Sequence, residues 1–113
     1  MMVSELVPKV AKNYINEKIL DKVISDSTPA KGVDVSGFRR YSILARFEGP
    51  ADATFKVEVN NNGKLVAQES LKLNSGGWLN FAKEYVVYGP QVGVVVYHPP
   101  KNLEVEMTLY AGL

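Results

Sequence analysis

The chain holds a single histidine, His98, and no cysteine. A Ser, His and Asp hydrolase set would therefore have to use His98 as its base. It stands between Tyr97 and Pro99-Pro100 at the end of an apolar run, and no nucleophile is signalled near it. That context assigns it to a surface turn rather than to proton transfer. The missing cysteines remove thiol catalysis, thiolate metal ligation and a disulfide framework together. Asp26, Asp34 and Asp52 carry oxygen ligands suited to Ca²⁺, but their spacing matches no compact calcium loop; a structural calcium stays the lesser alternative, no metal-site residue is assigned, and no cofactor is expected. Glu104 and Glu106 would lie on one strand face about 7 Å apart, a separation that superficially suits sugar hydrolysis. Acids at alternate positions of a regular strand form its wet face, however, and neither has an environment that raises a general acid's pKa. Asn74-Ser75-Gly76-Gly77 lacks the Lys and Ser or Thr of a phosphate-cradling loop, and no helix follows it. No catalytic residue emerges, and an enzyme is not expected.

Aromatic residues are the better candidates for binding. Trp78, Phe81, Tyr85, Tyr88 and Tyr97 fall in the second half of the chain, and flat rings with polar rims suit both sugar faces and protein hot spots. Most rings of this kind fill a core. Trp78 is the exception to look for, because a large ring directly after a Gly-Gly turn can stay exposed at a sheet rim. The ligand-binding candidates are thus Trp78, Tyr85, Tyr88 and Tyr97, with His98 at the end of the same region.

Charge narrows the partners. Thirteen basic and twelve acidic side chains leave a formal net charge of +1, and Arg39-Arg40 is the only adjacent basic pair. No one-signed field exists to steer the chain to phosphate backbones or anionic lipid, which disfavours nucleic acid. No run approaches the ~20 apolar residues of a membrane span. Met1 to Val10 contains Glu5 and Pro8 and lacks the basic start and sustained apolar core of a secretory signal. The expectation is a soluble protein without an export signal, cytoplasmic or virion-associated.

The elements that must position these residues divide the 113-residue chain into an arm, residues 1–25, and one β domain, residues 26–113. Val3, Leu6, Val7, Val10, Ala11, Tyr14 and Ile15 recur at spacings of three and four, which predicts a short helix from about Pro8 to Asn16. Pro8 loses no hydrogen bond in a first turn, and Ser4 and Glu5 supply a cap and negative charge there. Leu6, Val7, Val10 and Tyr14 form a stripe that either covers the chain's own sheet or builds a homo-oligomer. Glu17 to Ile24 fits a helix or a first strand, with strand preferred. Ser25 to Gly32 is a polar connector with Pro29.

Period-two alternation then takes over. Tyr41, Ile43, Ala45 and Phe47 point one way, Ser42 and Arg46 the other, and Gly49-Pro50 ends the run. Phe55, Val57 and Val59 alternate with Lys56 and Glu58 before the chain reverses. A three-residue loop of Asn61, Asn62 and Gly63 would set Val59 opposite Leu65 and Val57 opposite Ala67, with Gly63 in the left-handed position. A two-residue turn at Asn62-Gly63 would mix apolar with polar on the buried face, so the longer loop is expected. Trp78 to Tyr88 carries aromatics on both sides. Val92 to Tyr97 is apolar almost throughout, as in a strand covered on both faces. Leu103, Val105, Met107, Leu109 and Ala111 alternate with Glu104, Glu106, Thr108 and Tyr110.

About seven such strands with no helical pattern between them imply a mainly β fold, an antiparallel two-sheet β-sandwich of jelly-roll type behind the short N-terminal helix. The octapeptide Val33-Asp34-Val35-Ser36-Gly37-Phe38-Arg39-Arg40, followed by an alternating strand, resembles the leading segment of galactose-binding-like jelly rolls. Such domains occur as carbohydrate-binding modules and as accessory domains of bacterial and phage surface proteins. The resemblance spans residues 30 to 113 in pattern and implies a fold rather than a ligand. Two functions fit it: a non-catalytic interaction module, self-associating or docked in a larger bacterial or phage assembly, and a carbohydrate-binding module that stacks glycan on exposed aromatics. The first is preferred.

Overall fold

A computed structural model of the chain describes residues 13–74 and 77–112. Its described residues contain nine strands: β1 (Tyr14–Ile24), β2 (Thr28–Pro29), β3 (Val33–Asp34), β4 (Arg40–Glu48), β5 (Ala53–Asn61), β6 (Lys64–Leu73), β7 (Trp78–Val86), β8 (Gln91–Tyr97) and β9 (Leu103–Gly112). All pairings are antiparallel. The front sheet runs β1-β9-β4-β7, and the back sheet runs β2-β8-β5-β6, with β3 pairing β8 beside β2. This is the two-sheet jelly-roll sandwich that the alternation predicts.

Alternation builds the core directly. Tyr41, Ile43, Ala45 and Phe47 of β4, with Leu103, Val105, Met107, Leu109 and Ala111 of β9, are buried from the front sheet; Phe55, Val57 and Val59 of β5 and Val92, Val94 and Val96 of β8 meet them from the back. Phe47 and Phe55 join the layers edge to face, ring centroids 4.9 Å apart, the arrangement that the ring quadrupoles favour. In β8 only one face is fully buried, while Gly93, Val95 and Tyr97 are half-buried. The apolar run therefore does not have a layer on both sides. Its second face is outer surface, and β-branched residues hold it extended through β propensity.

Three further expectations are corrected. The helix expected from Pro8 to Asn16 lies mostly outside the described residues, but Tyr14, Ile15 and Asn16 belong to β1. That strand pairs with β9 from Tyr14↔Gly112 to Ile24↔Leu103, which places residues 14–24 in the sandwich rather than in an arm ahead of it. Ile15, Ile19, Leu20 and Ile24 are buried there. A register shift between Lys18 and Leu20 lets Ile19 and Leu20 both turn inward and sends Val23 to the outer face.

The β5-β6 hairpin turns through two residues, not three. Asn61 pairs with Lys64 and Asn60 with Leu65, while the register shifts so that Val59 faces Ala67 and Val57 faces Glu69. Asn62 and Gly63 both have positive φ, 52° and 80°, as the tight turn with right-handed strand twist demands of both central residues. The bulge between Val59 and Asn60 shifts the register the other way from a longer loop, Val59 facing Ala67 instead of Leu65, and restores the same side of the strand to the core.

From Val33 to Phe38 the octapeptide is structural, while Arg39 and Arg40 are exposed. Val33, Val35 and Phe38 are buried, the Asp34 carboxylate accepts from the Ser36 amide at 2.8 Å and hydroxyl at 2.6 Å, and Gly37 takes φ 87°. The Val35 amide donates to Pro90 O at 2.7 Å and the Val87 amide to Arg39 O at 2.8 Å, which ties the segment to the β7-β8 loop.

Candidate functional site

The five ligand-binding candidates do not converge. Trp78 opens β7 on the outer face of the front sheet and is 58 % exposed, with the Arg46 guanidinium carbon 4.9 Å from its ring centroid. Tyr85, on the same strand, faces inward and packs on Tyr41 with ring centroids 5.6 Å apart. Tyr88 lies in the β7-β8 loop, 71 % exposed, about 30 Å from Trp78 by the rise of an extended strand. Tyr97 is half-buried at the end of β8, on the other sheet. His98 is exposed in a left-handed turn, φ 54°, its ring 6.1 Å from that of Tyr97 and its amide donating to Ser27 Oγ at 2.9 Å. Of the oligomer-arm residues, Leu6, Val7 and Val10 lie outside the described residues; Tyr14 is exposed on the outer face of the front sheet, not on a helix.

That outer face carries a surface which sequence reasoning passed over. Eight large apolar side chains are exposed among the described residues, and six of them, Tyr14, Val23, Leu44, Trp78, Val86 and Tyr110, occupy outward positions of β1, β9, β4 and β7. The strand register orders the face into rows. The middle row reads Lys18, Thr108, Leu44, Ala82 from β1 to β7. Toward the Trp78 end follow Asp21, Glu106, Arg46, Asn80 and then Val23, Glu104, Glu48, Trp78; toward the other end come Asn16, Tyr110, Ser42, Glu84, then Tyr14 with Gly112 and Arg40 with Val86. The legible signal was Leu44 and Tyr110, apolar residues at outward positions between inward Ile43 and Ala45, and between Leu109 and Ala111.

Ion pairs lie between central Leu44 and the apolar corners Tyr14, Val23, Trp78 and Val86. Lys18 Nζ lies 3.4 Å from Glu106 and 3.5 Å from Asp21, Arg40 lies 3.1 Å from Glu84, and Arg46 lies 3.7 Å from Glu48. The hydrogen bond to Glu106, with the Asp21 and Glu106 charges, holds the Lys18 ammonium above its ordinary pKa of 10.5. Three shallow depressions mark the face, one of them at the end away from Trp78, lined by Arg39, Arg40, Ser42, Glu84 and Tyr110 among others. Another, of ≈ 380 Å³, is lined by Leu44, Ala82, Thr108 and Tyr110 among others, and the third, of ≈ 300 Å³, by Asp21, Val23, Arg46, Glu48, Glu104 and Glu106. Glu104 and Glu106 are thus part of a solvated, ion-paired surface.

Three of the four sheet edges carry charge at inward register positions. Glu17 and Lys22 on β1, Glu69 on β6 and Lys83 on β7 take inward register positions, opposite Leu109, Val105, Val57 and Ile43. An inward-pointing charge on an edge strand resists addition of another strand. Glu17 is also anchored by Lys31 at 2.6 Å.

Among the described residues no group of three or more His, Cys, Asp or Glu side chains is placed to hold a metal ion. No described helix is long and apolar enough to cross a membrane. The Tyr41 and Tyr85 hydroxyls are buried without a hydrogen-bond partner. Burial pushes both phenols up to about 12, with a smaller push on Tyr41 from Tyr88 and on Tyr85 from Glu69 and Tyr41.

No protein-family model matches the chain, and no curated protein matches it in sequence. Its fold recurs among solved structures. A CBM4 structure matches with a TM-score of 0.53 at 11% identity, over 86% of this chain and 66% of that one. The Podospora anserina GH26-CBM35 β-(1,4)-mannanase gives 0.54 at 10% identity, over 88% of this chain and 27% of the other. A structure from the Bacillus endospore appendages, disulfide-linked pili, gives 0.53 at 13% identity and covers 89% of both chains. The chain therefore spans about two thirds of the first and about a quarter of the second. At such identities the shared property is architecture: the chain has the two-sheet β-sandwich fold seen in these structures.

Proposed function

We propose that the chain is a non-catalytic interaction module that self-associates, or docks in a larger assembly, through the outer face of its front sheet. One observation carries this reading: six of the eight exposed large apolar side chains share that face. Four strands of about nine residues span roughly 19 by 30 Å. With side-chain relief, that plane approaches the ~800 Å² per partner of a standard interface. Leu44 and Tyr110 stand among the inner rows, ion pairs lie between them, and Tyr14, Val23, Trp78 and Val86 supply apolar area at the corners. Inward charges on β1, β6 and β7 disfavour strand addition at those edges, which supports assembly through the face. Sedimentation of the full chain across concentrations tests this. Wild type is expected to associate and Leu44→Asp to stay monomeric; a monomeric wild type at millimolar concentration would remove the self-association.

A second reading rests on Trp78. Its exposed ring, beside the charged depression of Arg46, Glu48 and Glu104, has the apolar platform and polar rim that a glycan takes. A glycan array with wild type and Trp78→Ala separates the two. Binding that disappears with the ring supports a carbohydrate-binding module, and no binding by wild type at millimolar concentration sinks it.

A further inference from the structure

We infer that the occupant of the front sheet's outer face is a second copy of this chain, laid face to face with its strands antiparallel to the first. The inference rests on the docking face proposed above and adds its partner and orientation. A two-fold contact between identical faces places the axis in the interface plane, and it makes residue i meet j while j meets i. Packed sheets keep their strands within about 30° of alignment, so two arrangements are open. The axis runs either across the strands or along them.

With the axis across the strands, through the row of Lys18, Thr108, Leu44 and Ala82, every strand lies over its own counterpart. Leu44 then meets Leu44 and Ala82 meets Ala82 at the apolar centre. The rows two steps out exchange ends. Trp78 meets Val86, Val23 meets Tyr14, and Glu48 meets Arg40, each twice. All four of those aromatic and aliphatic residues are otherwise exposed to water, so the pairing covers them at once. One row nearer the axis, Glu106 meets the Tyr110 hydroxyl and Asn80 meets Glu84. Like charges face each other only at Lys18, on the edge strand, where each ammonium is already held by Asp21 and Glu106 of its own chain.

The alternative axis is worse. It sets β9 over β4 of the copy, which puts Glu104 against Glu48 twice; the same overlay sets Glu106 against Arg46 twice, but that Arg46 already pairs with Glu48 of its own chain, so the acidic cluster stays in excess. Like charges desolvated across an interface are strongly disfavoured. The ends of the face also differ in sign: Asp21, Glu48, Glu104 and Glu106 with Arg46 gather near Trp78, whereas Arg39 and Arg40 with Glu84 line the depression at the other end. Only the antiparallel arrangement brings opposite ends together.

Two charge reversals test the inference on the full chain, by sedimentation equilibrium. Arg40→Glu and Glu48→Arg are each expected to weaken dimerisation at least about tenfold, because each creates like pairs at both symmetry-related contacts. An equimolar mixture of the two variants should recover wild-type dimerisation as heterodimers, since both contacts are then Glu against Arg. Repair of either variant's own folding cannot produce that recovery. If both variants weaken the dimer and the mixture stays monomeric, the antiparallel register is overturned while the docking face stands. If Glu48→Arg tightens the dimer, by relieving Glu104, the strands run parallel and the inference falls. A wild type that is monomeric at millimolar concentration overturns the second copy as occupant and the self-association proposed for the face.

Discussion

Asn61 holds the backbone of Tyr88. Its Oδ1 accepts the Tyr88 amide at 2.9 Å, and its Nδ2 donates to Gly89 O at 2.7 Å and Gln91 O at 2.8 Å. Asn61 is 1 % exposed, the sole buried polar residue among those described. Its neighbour Asn62 accepts the Gln91 amide at 2.9 Å and fills the space that a side chain at Gly89 would need, its Cγ standing 2.7 Å from where a Cβ would be. The β5-β6 hairpin thereby sets the β7-β8 loop, which explains why a loop with an exposed tyrosine is ordered. Asn61→Ala leaves the Tyr88 amide and Gly89 carbonyl without this partner, at about 1–3 kcal/mol for a buried group so orphaned. A urea denaturation midpoint unchanged from wild type would contradict the role.

Gly63 is expected to be irreplaceable for a different reason. No atom lies within 4 Å of the position where its Cβ would stand, yet its φ is 80°. Gly63→Ala thus meets only backbone strain, about 1–2 kcal/mol for a residue forced into the left-handed region. Thermal melting reads this loss, and an Ala variant as stable as wild type would show that the turn tolerates another geometry.

Alternation carried most of the fold, and the departures from it have local causes. β4 and β9 are legible residue by residue because each has one buried and one wet face. The hairpin is not, because a bulge and a turn exchange one register unit and the apolar pattern reports only their sum. β1 hides behind its own bulge, where two consecutive buried residues break period two. The candidate site was less legible. Aromatic type picks out Trp78 and Tyr88, but the sequence cannot say that Tyr85 points into the sandwich. Leu44 and Tyr110 become a surface only when four strands, remote in the chain, are set side by side.

The buried tyrosine pair gives a prediction with two readouts. An unpartnered buried hydroxyl has lost water without gaining a bond, so removing it is neutral or favourable. Tyr85→Phe and Tyr41→Phe should therefore keep or raise the melting temperature. Both phenols titrate near 12 in the folded state against an ordinary 10.0. Between those values the unfolded chain has lost protons that the folded one keeps, so stability is full below pH 10 and falls as pH rises from about 10 through about 12. Phenolate absorbance should show a late phase from Tyr41 and Tyr85 near pH 12, which the double Phe variant should lose. A late phase unchanged in the double variant, or none in wild type, would refute the burial.

Truncation separates the arm from the face as the source of assembly. A chain starting at Asn13 lacks Leu6, Val7 and Val10 but keeps all of β1, including Tyr14 and Val23 on the outer face. It should retain both the melting temperature and the association of the full chain. A chain starting at Ser25 is a different perturbation, because it strips the partner of β9 along ten paired positions and removes buried Ile15, Ile19, Leu20 and Ile24. Each large apolar side chain lost from a core is worth about 2–5 kcal/mol when truncated to Ala, and four of them approach the whole stability of a small domain. That chain should fail to fold, so its mass in solution carries no information about assembly. Equal association of the Asn13 chain and the full chain places the contact on the sandwich, whereas a well-folded but monomeric Asn13 chain would transfer it to residues 1–12.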